Sequence, residues 1–110
     1  MAGFVAEALA EARTAVQQAI RYQETSNCAW ALNAMGDAHL ASGSAGASDA
    51  VEAYQKCEAI AEEQGLLPLL AKCRFGLGEA YGALGQPEIA TRALASARRI
   101  RDSIGLQIAP

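Results

Sequence analysis

The chain repeats itself. Met35-Gly36-Asp37-Ala38 recurs as Leu77-Gly78-Glu79-Ala80 at an offset of 42 residues, and Gly43 recurs as Gly85 at the same offset. Beyond Gly43 the offset falls to 40, because the first copy holds two extra residues. There Ala50, Tyr54, Cys57, Ile60, Gly65 and Leu66 match Ala90, Leu94, Ala97, Ile100, Gly105 and Leu106. A duplicated unit of this size is one supersecondary element. It cannot bury its apolar face alone and must stack on its copy. A chain of 110 residues has room for two such units and one more helix, within a single domain.

Punctuation and periodicity make the units helical. Phe4, Ala8, Leu9, Ala12, Val16, Ala19 and Ile20 recur at three- and four-residue spacing, which predicts a leading helix over about 3–24. Thr25-Ser26-Asn27 reads as a break with N-cap chemistry, followed by a second helix over about 28–42. Ser42 to Ser48 reads as a loop. A third helix is expected over about 50–64, with Asp49 as its N-cap and Gly65 at its end. Pro68 suits the first turn of a fourth, which runs to Leu84 and Gly85. Pro87 opens a fifth, which Gly105 is expected to close. The division is therefore 1–25 as leading helix, 26–65 as the first repeat, 66–105 as the second and 106–110 as a tail. The fold class is all-α.

Composition supports this reading. Hydrophobic residues make up 52% of the chain and aromatics only 5%, while 26 residues are alanine. Small apolar side chains let helices approach closely. Sparse β-branched and aromatic residues disfavour sheets, and the hydrophobic content excludes disorder. Gly36, Ala38, Gly78, Ala80, Ala90 and Ala97 alternate with Leu32, Met35, Leu77, Tyr81, Tyr54, Leu94, Ile60 and Ile100. Such alternation fills an interface without voids, so leucine in place of Gly78 is expected to overpack it by about 1–3 kcal/mol.

Second helices and Leu-Gly pairs together carry a resemblance. Leu77-Gly78-x-x-Tyr81 is followed by Ala90-x-x-x-Leu94-x-x-Ala97. Leu32-x-x-Met35-Gly36-x-x-His39 is followed by Ala50-x-x-x-Tyr54-x-x-Cys57. Over residues 28–106 this resembles the tetratricopeptide repeat. The second copy is also similar to the repeats that end bacterial signalling and transcriptional regulators. The sequence departs from the pattern at Arg74, which holds a large-residue position, and at His39, which replaces tyrosine. Glu62 and Asp102 stand where the pattern has proline. The resemblance implies a right-handed α-α superhelix of about five helices. It also implies a concave face built from the first helix of each unit. That face would present Trp30, Asn33, Asp37 and Leu40 from one copy and Lys72, Phe75, Glu79 and Ala83 from the other. Each stripe holds an aromatic and a carboxylate, which suits peptide binding. The alternative is that Trp30 and Phe75 pack against the first helix or a second copy. The lysine–asparagine arrangement that clamps a terminal carboxylate is not recognisable.

Other chemistries find little support. Gly76 to Gly82 has dinucleotide-loop composition but the wrong spacing, and it falls inside a predicted helix. Three cysteines, Cys28, Cys57 and Cys73, stand far apart, as expected of reduced structural thiols, and with His39 they do not make a metal site. No cofactor and no catalytic set is expected.

Charge is uneven. Residues 1–65 hold nine acids and three bases; residues 66–110 hold three acids and six bases. With two lysines and a net charge of −3, the chain does not resemble a nucleic-acid binder. Arg98, Arg99 and Arg101, with Arg92, read as a solvated face or as candidates for electrostatic contact with an acidic surface, such as Glu58, Glu62 and Glu63 of a second copy. Pairs Glu88–Arg92 and Arg98–Asp102 have the spacing for intrahelical bridges. With no apolar run of membrane length and no signal segment, a cytoplasmic location is expected. The functional expectation is a non-catalytic scaffold that binds a protein or peptide, self-associates into a homo-oligomer, or both. A regulatory segment of a larger bacterial signalling protein is the alternative, and a small helical enzyme or ligand-binding bundle a remote one.

Overall fold

A computed structural model describes residues 2–108, with side chains over 3–105. Five α-helices account for nearly all of them: α1 (Ala2–Arg21), α2 (Thr25–Ala41), α3 (Ala47–Gln64), α4 (Leu67–Ala83) and α5 (Pro87–Ile108). There is no strand among the described residues. Each helix packs chiefly on its neighbours in chain order, α1 on α2, α2 on α3, α3 on α4 and α4 on α5, and α2 also touches α4. The body measures 43 × 37 × 22 Å, so it is about two helix diameters thick. α2 and α4 lie side by side in one layer, and α3 covers the seam between them.

Helix ends explain this arrangement. Pro68 sits in the first turn of α4, and Pro87 begins α5. After α3, Gly65 turns left-handed at φ 67°, and the Leu66 amide reaches back to the Ala61 carbonyl at 2.9 Å. After α4, Gly85 at φ 73° allows the same six-to-one bond, from Gln86 to Tyr81. Both close a helix with a left-handed residue that satisfies orphan carbonyls.

Several boundaries differ from expectation. The α1–α2 turn falls at 22–24 rather than 25–27, and Gln23 (φ 58°) supplies its left-handed residue. Thr25 to Asn27 already belong to α2; Asn27 donates its side-chain amide to the Glu24 carboxylate. A short 3-10 turn, Ser44–Gly46, fills the loop, so α3 starts at Ala47 and Asp49 sits in its first turn without capping it. Gly105 does not close α5, which continues to Ile108. The Gly65–Gly105 match thus has no structural counterpart. The Leu106 side chain and the final residues 109–110 of the tail lie outside the described residues.

The core runs through α2, α3 and α4. Tyr54, Leu69, Cys57 and Cys73 are its largest fully buried side chains. Tyr54 is only 1% exposed and lies between two helices that thin out where it passes. A Cβ on Gly36 of α2 would stand 2.6 Å from its ring, and one on Gly76 of α4 would collide with the opposite side. Leu94, the matching residue of the second copy, lies against Gly78 with 2.5 Å to a virtual Cβ, and is half-buried. Along α1 only Ala12 and Ala19 are fully buried, with Val5, Leu9 and Val16 half-covered; Phe4, Ala8 and Ile20 of the expected apolar face are exposed.

Arg74 takes an apolar position by recruiting polar partners. It stands where the first copy has the buried Leu32. Its Nε meets Glu58 at 2.9 Å, a second guanidinium nitrogen meets Glu62, and a third meets the Ser96 hydroxyl at 2.9 Å. One side chain thereby ties α4 to α3 and α5.

Candidate functional site

A concavity of about 470 Å³ opens between α2 and α4. Asp37, Leu40 and Ala41 line it from α2, Lys72, Phe75, Gly76 and Glu79 from α4, and Tyr54 of α3 closes its floor. Five of the eight residues expected on the concave face are therefore gathered here: Asp37, Leu40, Lys72, Phe75 and Glu79. They meet because seven-residue spacing keeps Lys72 and Glu79 on one stripe of α4, and because a stretch of 42 residues places Asp37 and Glu79 at matching levels of adjacent helices.

The other three lie elsewhere, and Ala83, at the end of α4, is exposed outside the lining. Trp30 is 48% exposed and outside the lining. Asn33 is 2% exposed and also outside it. Its Nδ2 donates to Asp37 Oδ2 at 3.5 Å, while its buried Oδ1 has no partner among the described residues. Asn33 therefore stands behind Asp37 and orients it.

Tyr54 is the member that sequence reading assigned only to the core. Its hydroxyl donates to Asp37 Oδ1 at 2.5 Å. Burial above all, then this bond and the nearby Asp37 and Glu79 charges, push the hydroxyl far above the ordinary phenol range, so it remains a donor. The Asp37 carboxylate is held at both oxygens and still faces solvent. Such a group can accept further hydrogen bonds without rearranging. The signal that could have found Tyr54 is the pair Gly36 and Gly76: glycine on two facing helices marks where a large side chain from a third must pass.

Charge in the concavity is open. Among the described residues, Asp37, Lys72 and Glu79 form no ion pair within 4.0 Å. Phe75 is half-buried, and the Arg101 guanidinium of α5 lies over its ring at 5.8 Å from the centroid. This cation–π contact brings one of the three candidate arginines to the rim. Arg101 also meets Asp102 at 3.3 Å. The spacing-based pairs Arg98–Asp102 and Glu88–Arg92 are not formed, and Arg98 and Arg99 are exposed. Glu58 and Glu62, expected as an open acidic surface, are engaged by Arg74, which leaves Glu63 of that trio.

The remaining chemistry is structural. Cys28, Cys57 and Cys73 are free and buried, and burial pushes the Cys28 thiol up. His39 is half-buried and borders a smaller recess with Arg13, Asp49, Glu52 and Lys56. No group of three or more potential metal ligands is clustered among the described residues. Gly76 and Gly78 sit inside α4 as packing positions, away from any strand. No described helix is long and apolar enough to cross a membrane. No protein-family model, no curated protein and no solved structure matches the chain.

Proposed function

We propose that the chain is a tetratricopeptide-like interaction module that holds a peptide segment of another protein in the concavity between α2 and α4, without catalysis. One observation carries this reading. Residues at matching positions of a duplicated helix pair, Asp37 and Glu79, converge with Lys72 and Phe75 on one open recess whose charges form no ion pair among the described residues. Charges without ion-pair partners around an aromatic ring form a surface that gains from a complementary partner.

The recess is open to solvent and runs from Lys72 to Glu79 along α4, which suits an extended chain more than a compact metabolite. The scaffold is rigid there, because Tyr54 is fixed by glycine contacts on both sides and by Asp37. A preformed groove limits the ordering cost of binding to the ligand.

A displayed peptide library, panned on the intact chain, tests the proposal. Enriched peptides should shift the backbone amide resonances of residues around Asp37, Phe75 and Glu79. Enrichment that survives Phe75→Ala and Glu79→Ala together, or shifts confined to another surface, would overturn it.

A further inference from the structure

The groove is electrically polar along its length. Asp37 and Glu79 occupy matching levels on α2 and α4, so two carboxylates stand abreast at one end. Lys72 stands two helical turns earlier on α4, about 10 Å away along the axis. Phe75 lies between them in the helix, and the Arg101 guanidinium, which also meets Asp102, stands over its ring. Two carboxylates thus stand at one level, an apolar ring in the middle, and Lys72 toward the other end.

We propose that this groove selects a bipolar segment: an extended peptide whose basic side chain meets Asp37 and Glu79, whose apolar side chain rests on Phe75, and whose acidic side chain meets Lys72. The inference rests on the peptide-binding reading above and adds the chemistry of the ligand. An extended chain advances about 3.3 Å per residue, so 10 Å spans about three residues. Side chains on one face recur every second residue, so a base and an acid four apart, with an apolar residue midway, reach both ends through their flexible stems. Asp37 is the best-prepared contact. Tyr54 and Asn33 already hold its two oxygens, and it has no internal cation to displace. The occupant is a segment of a partner protein. A uniformly basic or acidic segment would satisfy one end and meet like charge at the other.

Three capped probes test this by amide-shift titration of the intact chain. They carry Lys-Ala-Leu-Ala-Glu, Lys-Ala-Leu-Ala-Lys or Glu-Ala-Leu-Ala-Glu between glycine-serine flanks. The bipolar probe should bind roughly fivefold more tightly than either of the others at low salt, with shifts around Asp37, Lys72 and Glu79. Lys72→Glu should transfer the preference to the all-basic probe, and Glu79→Lys to the all-acidic one. Both positions are exposed, so the variants should keep the wild-type fold by circular dichroism. Equal affinities with shifts still in the groove would overturn the bipolar reading and leave peptide binding standing. Absent shifts, or shifts on another face, would overturn both. A wild-type dimer that Lys72→Glu dissociates would assign the groove to a second copy and likewise overturn the proposal.

Discussion

Tyr54 and Leu94 fill matching positions in the two repeats, but they live in different surroundings. Tyr54 comes from α3, which has a helix on either side, and its ring is pressed between Gly36 of α2 and Gly76 of α4. Leu94 comes from α5, which packs chiefly on α4, so among the described residues it meets Gly78 on one side and is half-exposed on the other. The same contrast runs along both helices. Ala53 and Ala61 of α3 are buried, while their counterparts are the half-covered Ala93 and the exposed Arg101. An interior unit of a stacked array must match neighbours on both faces. Among the described residues α5 is covered chiefly on one face, and the other face carries charge. Arg101 shows that charge put to use, since it reaches from α5 to the ring of Phe75.

The largest test of this contrast truncates the two wedges. Tyr54→Ala removes a fully enclosed ring and should cost about 3–5 kcal/mol. Leu94→Ala removes a smaller, half-exposed side chain whose site can refill from solvent, and should cost about 1–2 kcal/mol. Urea unfolding of both variants measures the difference. Equal losses would mean that α5 is as tightly enclosed as α3.

Much of the fold was legible because the same signals occur twice. The prolines mark the starts of α4 and α5, the glycines at 65 and 85 mark the ends of α3 and α4, and the repeat fixes which helices correspond. The misplaced boundaries have one physical cause each. The α1–α2 turn uses the left-handed geometry of the other two, but Gln23 supplies it, and glutamine carries no such signal. Gly105 reads as a stop, yet no left-handed turn follows it and α5 continues. Arg74 breaks the apolar pattern because three polar partners compensate its partial burial, and those partners lie 12 to 22 residues away in sequence. Of the groove, Asp37, Leu40, Lys72, Phe75 and Glu79 were expected from the repeat resemblance, with which their helical spacing agrees. Asn33 was expected with them and misplaced, because spacing alone does not tell a groove-facing amide from one buried behind a carboxylate.

The glycines that flank Tyr54 give the next effect. Alanine at Gly36 or Gly76 would drive a methyl group into an aromatic ring that is blocked on its far side. Overpacking of about 1–3 kcal/mol should exceed the roughly 1 kcal/mol that alanine gains as a helix former, so each variant should be destabilised. A variant that is more stable than the wild type by thermal melting would show that the ring can slip sideways. The groove would then have a softer floor than the close contacts imply.

A smaller effect isolates the polar half of the Tyr54 contact. Tyr54→Phe keeps the wedge and removes the bond to Asp37, for a loss of about 1 kcal/mol at neutral pH, since Asp37 can turn to water. The sign reverses in base. The folded-state pKa of Tyr54 is raised, first by burial and then by Asp37, so its stabilising share is complete below about pH 10 and is lost as pH rises further. Between pH 10 and 11 the wild type should therefore lose about 1 kcal/mol more than the phenylalanine variant. Parallel pH profiles for the two proteins would instead mean that Tyr54 ionises in the folded chain as freely as in the unfolded one.

The smallest effect belongs to Gly78, and it sharpens the contrast because its crowding resembles that of Gly36 on paper. A Cβ there would stand 2.5 Å from Leu94 Cδ2 and 3.4 Å from the Ala90 carbonyl oxygen. The nearer atom is the end of a flexible side chain that already borders solvent, so Leu94 can change rotamer where the ring of Tyr54 cannot. Relief of the clash then costs a few tenths of a kcal/mol, and the gain in helix propensity of about 1 kcal/mol outweighs it. Gly78→Ala should leave stability within about 1 kcal/mol of wild type, on the stabilising side, while Gly78→Leu, with no room for four carbons, should still cost the 1–3 kcal/mol of an overpacked interface. If Gly78→Ala is as damaging as Gly36→Ala, then Leu94 is locked despite its exposure, and the rigidity of the first repeat extends to the end of the chain's helical stack.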